Sequence, residues 1–247
     1  MKRNLIFSLL ALVALWLGWL VAYYIVRNDY VLPSVWETLS ECGRLLIDGA
    51  FWRAFSGTIL RTLLAFIFSV LLGVGLALLA VLFDKVRAFF APIISVLRTV
   101  PTMAIVLILL LWTSPSVAPV IVSFLVLFPA VYAAALAAFD ETKNAYNSMV
   151  RAYAVPRGRQ VVKMYLPLGA SSICSQLGGI ASMGLKITVS GEVLSNTYKS
   201  LGGVMQEAKM FLQTPRLLAL TVLVILIGFL LEGLFALIGK FVARRQS

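Results

Sequence analysis

The sequence has no histidine, two cysteines and 10 acidic residues among 247. With no histidine, and no cysteine or carboxylate cluster at metal-ligand spacing, a metalloenzyme is not expected. No G-x-x-x-x-G-K-[ST] is present, so the chain has no P-loop with which to bind ATP. Cys42 falls in a polar stretch and Cys174 in an apolar run, and their expected separation argues against a disulfide. Charge is scarce as well: 13% of residues are Asp, Glu, Lys or Arg, where soluble domains carry about 25%. In its place, 61% of the residues are hydrophobic, and they lie in long runs rather than short alternating ones. A transmembrane barrel would show alternating segments of about ten residues, so helical spans are the reading.

The expected fold is therefore all-α: a polytopic membrane protein with about six transmembrane helices. Spans are placed near 5–26, 57–83, 91–113, 116–139, 168–194 and 215–240. The first follows Lys2 and Arg3, but its apolar run of about 22 residues exceeds a signal peptide's core, and no small-residue cleavage site precedes Arg27. It is read as a retained helix. Segment 27–56 reads as an amphipathic outer-surface helix carrying Leu39, Leu45, Leu46 and Phe51.

Lysine and arginine set the orientation. With the N-terminus inside, the inner segments hold Lys2, Arg3, Lys85, Arg87, Lys143, Arg151, Arg157, Arg159, Lys163, Lys240, Arg244 and Arg245, opposed by Asp84, Asp140 and Glu141. The outer segments are nearly balanced, with Arg27, Arg44, Arg53, Lys199, Lys209 and Arg216 against Asp29, Glu37, Glu41, Asp48 and Glu207. Both termini are therefore expected in the cytoplasm. The net charge of +11 is then a topology signal and an attraction to anionic membrane lipid, not a sign of nucleic-acid binding.

Segment 140–167 stands out between two of the spans. Asp140 is placed to cap a helix over the residues that follow, with Ala145, Met149, Ala152 and Tyr153 near one face. Pro156 and Gly158 break it, and a second short helix puts Val161, Val162, Tyr165 and Leu166 on an apolar side. Such a knob either anchors the loop to lipid headgroups or docks a partner.

Inside the spans, Arg61 lies close enough to the outer surface to snorkel. Arg98 is deeper and close to Pro101, where the helix should kink; an Arg at the bilayer centre costs roughly 3 kcal/mol, so it should face protein or water. The fifth span carries small-residue ridges, Ser171–Ser175–Gly179 and Gly178–Ser182, which suit close helix packing. Lys186, Thr188, Ser190 and Glu192 continue that helix in polar form. Arg98, Thr102, Ser182, Lys186, Thr188 and Glu192 are therefore the candidates for a water-filled path. Lys186 and Glu192 are too far apart to pair within one helix, so each should find a partner elsewhere.

The stretch "NSMVRAYAVPRGRQVVKMYLP" resembles the cytoplasmic coupling loop of binding-protein-dependent ABC importer permeases, a pattern of Glu-Ala-Ala, three residues, Gly, and a later Leu-Pro. Aligned back from Leu166-Pro167, the family's Glu-Ala-Ala falls on Ser148, Met149 and Val150, and its Gly on Ala154. "FSGTILRTLLAFIFSVLLGVGLALL", "PIISVLRTVPTMAIVLILLLW" and "GEVLSNTYKSLGGVMQEAKMFLQTPRLLA" resemble core segments of the nitrate, sulfonate and taurine branch.

The resemblance implies a type I importer transmembrane domain in a bacterial inner membrane, with residues 1–49 as an N-terminal helix and outer segment and 50–247 as the permease core. It implies two copies of the chain rather than a heterodimer, ABC ATPase subunits that bind ATP and Mg, and an extracytoplasmic solute-binding protein. The chain itself would bind no cofactor and catalyse nothing. ATPase coupling would fall to Ser148, Met149, Arg151, Ala152, Ala154, Val155, Arg157 and Gly158. The alternative is an ion-coupled transporter or channel using Lys186 and Glu192 as a charge relay, but no inverted repeat or filter sequence supports it.

Overall fold

The computed structural model describes residues 2–28 and 31–244; Asp29 and Arg245 lie outside the described residues, as do the side chains of Lys2, Arg3, Arg151 and Arg244. Ten α-helices follow in chain order: α1 Lys2–Val26, α2 Val35–Ile47, α3 Gly49–Leu82, α4 Asp84–Thr99, α5 Thr102–Leu109, α6 Ala118–Ala152, α7 Arg157–Gln160, α8 Leu166–Ser195, α9 Leu201–Met210 and α10 Thr214–Arg244. A π-helical turn, Val161–Tyr165, joins α7 to α8. No strand occurs among the described residues. α3, α6 and α10 are each long and apolar enough to cross a membrane, and α4 and α5 together form a bent apolar pair, a broken span or a re-entrant loop. α8 has 30 residues, about 45 Å of helix, but its serines, glycines and Lys186 dilute its apolar character. With α1 these account for the six expected helices.

Local chemistry fixes the ends. Ser34 starts α2 with a reciprocal box, its Oγ accepting from the Glu37 N–H while the Glu37 carboxylate accepts from the Ser34 N–H, each at 3.2 Å. Asp48 caps α3 by accepting from the Ala50 N–H at 2.8 Å. Trp19 Nε1 donates to the Pro33 carbonyl, tying the end of α1 to the start of α2.

Three expectations change. The third span is not one helix over 91–113: α4 starts at Asp84, and α5 leaves it at 90°. Pro101 lacks the N–H that would continue the ladder and forces Val100 into an extended conformation (ψ 129). Asp140 starts no helix; α6 runs through it to Ala152, since no glycine or proline follows Asp140 before Pro156, and the Asp140 carboxylate pairs with Arg87 at 3.0 Å. α2 does more than lie on a membrane: Thr38, Cys42 and Leu45 are buried, and Cys42 Sγ reaches the Ala219 carbonyl on α10. Leu39 and Leu46 stay exposed.

Small residues bring the spans together. Ala65, Ser69, Gly73 and Ala77 form a ridge at four-residue spacing on α3, all buried. A side chain at Gly73 would meet Val131 Cγ1 at 2.9 Å and the Tyr132 nitrogen at 3.1 Å, both on α6. Lipid tails are as apolar as leucine, so this close contact, not escape from water, holds α3 to α6. Two apolar clusters result. One, around Leu127, Val131, Phe139 and Tyr165, sits between α3, α6 and α8. The other, around Leu45, Phe51, Leu185, Leu201 and Leu220, sits where α2, α3, α8, α9 and α10 converge.

Candidate functional site

Helix α6 ends in a tight reversal. The Val155 N–H donates back to the Val150 carbonyl at 3.2 Å, and Ala154 between them adopts φ 48. This is a Schellman cap, whose left-handed position is normally glycine. Pro156 then blocks any continuation, and Gln160 Nε2 closes the bend on the Val155 carbonyl at 2.7 Å. At this end Tyr146, Met149 and Tyr153 are exposed at three- and four-residue spacing, with Tyr153 at 78%. Ser148, Ala152, Ala154, Arg157 and Gly158 are exposed around them, and Val155 is half-buried. The second apolar side divides: Val162 points outward, whereas Tyr165 is buried and Val161 packs on the core.

The polar residues of α8 separate onto two faces. Ser175, Gln176, Gly179, Met183, Lys186, Ser190 and Leu194 are exposed, each three or four residues from the next apart from the adjacent first pair. They border three hollows in line. One of about 560 Å³ is lined by Arg98, Gln176 and Gly179. Arg98 also borders the next, of about 290 Å³, with Thr102 and Met183. Thr102 in turn borders a third, of about 180 Å³, with Lys186 and Ser190. Among the described residues Arg98 Nη2 reaches only the Pro129 carbonyl, at 3.4 Å. Among the described residues neither Arg98 nor Lys186 has a carboxylate within ion-pair distance.

Ser182, Thr188 and Glu192 lie on the other face, buried. Ser182 packs where a side chain at Gly228 would meet its hydroxyl at 2.9 Å. Thr188 shares a 2.8 Å hydrogen bond with Ser123 of α6. Glu192 Oε1 accepts from Arg61 at 3.0 Å, and its Oε2 accepts from Thr58 Oγ1 at 2.8 Å and from the Gly202 N–H at 3.2 Å. The Thr58 hydroxyl also accepts from the Leu201 N–H, so two orphan donors of α9's first turn are satisfied here. Arg61 thus serves a buried ion pair rather than snorkelling. The polar stripe expected from Lys186 to Glu192 is two stripes, because a step of two or six residues on a helix turns away from the starting face.

Residues 69–244 match the model of the family described as "Binding-protein-dependent transport system inner membrane component". The chain belongs to this family. The permease is also similar to the taurine transport system permease protein TauC of Escherichia coli (strain K12), at 26% identity over 237 residues, 93% of this chain and 85% of the relative. Its fold resembles that in a crystal structure of an amino acid ABC transporter with histidines: TM-score 0.61, 18% identity, covering 78% of this chain and 94% of the other.

This permease is accordingly the transmembrane subunit of an ABC importer and a multi-pass inner-membrane protein, not an enzyme. Membership implies ATPase and binding-protein partners that carry the nucleotide chemistry and the solute. Sequence reasoning placed Ser190 with Lys186 but joined Thr188 and Glu192 to them, and it missed Gln176 and Met183 as members of the Lys186 face. The signal was available: from Ser175 and Gly179, steps of four, three and four reach Met183, Lys186 and Ser190.

Proposed function

We propose that the exposed face of α8, with Arg98 and Thr102 opposite it, is one half of the translocation path, and that a second copy of the permease supplies the other half. The observation that carries this reading is the exposed row from Ser175 to Leu194, which opens onto the three hollows and presents Gln176 and Lys186 to them. Polar side chains on a span are costly against lipid, so a water-filled interface between copies is their place. Two cations that have no carboxylate partner among the described residues suit a small solute bearing an acidic group, in keeping with the TauC relative. The path would not use Ser182, Thr188 or Glu192, whose partners lie within the chain.

The reversal at Ala154 is the ATPase-docking element, with Tyr146, Met149 and Tyr153 as its apolar contact and Arg157 at its rim. Arg151, whose side chain is outside the described residues, keeps the role implied by the resemblance. Both termini and this loop are cytoplasmic, which places α2, α9 and the hollow of about 670 Å³ lined by Arg53, Lys199 and Glu207 on the side facing the binding protein.

Expression with the genes beside it tests the reading. The detergent-solubilised permease should bring down an ATPase subunit, and Met149→Asp with Tyr153→Asp should release it. A wild-type chain that retains no ATPase would overturn the docking assignment. Labelled taurine is the first solute to try in uptake, with Lys186→Glu expected to reduce it.

A further inference from the structure

The joint between α3 and α4 is a single extended residue, Phe83 (φ −133, ψ 103). A one-residue joint between two helices is a hinge with two soft dihedrals. Left alone, it would absorb any displacement applied to one of its arms. Here three contacts of different chemistry brace it. Lys143 Nζ donates to the Val81 carbonyl at 3.0 Å, placing a cation on the orphan carbonyls at the end of α3. The Arg157 guanidinium lies 5.0 Å from the centroid of the Phe83 ring. Arg87, in the first turn of α4, pairs with Asp140 at 3.0 Å.

All three partners come from one place. Asp140 and Lys143 lie on α6 about three and two and a half turns before its end, and Arg157 opens α7, so the partners sit on the two helices that the reversal at Ala154 joins. The joint's other arm, α4, runs to the break at Val100–Pro101, where Arg98 borders two of the hollows and α5 turns away at 90°. A continuous set of contacts therefore joins the reversal to the break that shapes the open face of α8.

We infer that Lys143, Phe83 and the Arg87–Asp140 pair are positioning residues that carry movement of the loop into α4 and hence into the α4–α5 break. The inference rests on the reading of that loop as the ATPase-docking element. Lys143, Arg87 and Asp140 do not touch the docking surface proposed above, and Phe83 meets it only through Arg157 at its rim, so their loss should uncouple the path without releasing the ATPase. Arg157 belongs to both sets and is left unaltered in the test.

The test uses the intact transporter, the permease with its ATPase and binding-protein partners in liposomes. Cys42 and Cys174 are replaced by serine and alanine, and Met103, which is exposed on α5 beside the hollow shared by Thr102 and Lys186, is replaced by cysteine. The labelling rate with a polar maleimide is measured without nucleotide and after trapping with ATP and vanadate, which needs no knowledge of the solute. The parent should change its rate by at least about fivefold between the two states. Lys143→Met and Phe83→Leu should keep the bound ATPase and its hydrolysis while losing most of that change. Lys143→Arg should restore it, as should Asp140→Arg placed in the Arg87→Asp background. The same rate change in parent and variants would overturn the inference. So would variants that lose bound ATPase and labelling change together, since the contacts would then only shape the docking surface. A parent that holds no ATPase would instead remove the docking reading, and this inference with it.

Discussion

Arg61 Nη1 lies 3.0 Å from Glu192 Oε1, joining α3 to α8 across 131 residues of sequence, with the carboxylate side chain fully buried and the arginine side chain 15% exposed. A buried pair contributes little over an apolar substitute, yet removing one member leaves the other charged and unpaired. Arg61→Met should therefore destabilise the permease by about 3–5 kcal/mol. Glu192→Gln should cost less, because an amide still accepts from Thr58. Combining Arg61→Met with Glu192→Gln should recover part of the loss. Thermal unfolding in detergent reads all three, and a double variant as unstable as the sum of the singles would show that the pair is not coupled.

Ala154 at φ 48 carries a side chain where the backbone favours glycine. A left-handed residue with a Cβ costs roughly 1–2 kcal/mol, partly offset because glycine loses more freedom on folding. Ala154→Gly should stabilise the loop slightly, and Ala154→Val should weaken it. Restoring the family pattern with Ser148→Glu and Ala154→Gly should leave transport intact or improve it. Uptake measured beside ATPase retention checks both halves, and a clear loss in either would count against the register of the loop.

The helices were legible in the sequence because runs of apolar residues cannot be placed otherwise, and the reversal at Ala154 because Pro156 marks it, although Gly158, read as part of the same break, lies inside α7. Partners distant in sequence were not. Nothing near Arg61 announces Glu192, and nothing near Phe83 announces Lys143 or Arg157; these pairs exist only once α3, α6 and α8 are packed. The continuity of α6 through Asp140 was missed for a related reason. Asp140 has the chemistry of a helix cap, and only the nearby Arg87 reveals that its carboxylate is already committed. Even the two faces of α8, present in the spacing, were obscured because Lys186, Thr188, Ser190 and Glu192 are close in sequence but point in different directions.

The two faces of α8 should differ in chemical access. In a permease lacking Cys174, cysteine at Gln176, Lys186 or Ser190 should react with a polar maleimide, whereas cysteine at Ser182 or Thr188 should react at least about tenfold more slowly, because exposure there requires local opening. Native Cys42 should interfere little: burial first, and the Glu41 carboxylate second, push its thiol above the usual range, so less thiolate is present at neutral pH. Its labelling should rise with pH. Fast reaction at Ser182 or Thr188 would place the path on the wrong face.

Two glycines at the same end of the chain should respond in opposite ways to alanine. A methyl group at Gly57 of α3 would collide with the Lys199 carbonyl, a backbone atom in the loop before α9, and would come within 3.2 Å of Arg61 Nη1. Lys199 itself sits at φ 50, so the loop has little room to yield. Gly57→Ala should therefore cost about 1–3 kcal/mol, the usual penalty of overpacking, and should loosen the Arg61–Glu192 pair beside it. Gly43, within α2, has no atom within 4 Å of the added methyl group, and a glycine inside a helix is about 1 kcal/mol worse than alanine. Gly43→Ala should raise the unfolding temperature while leaving transport unchanged. If both variants shift the unfolding temperature in the same direction, close approach of the loop to α3 is not what holds this end of the permease together.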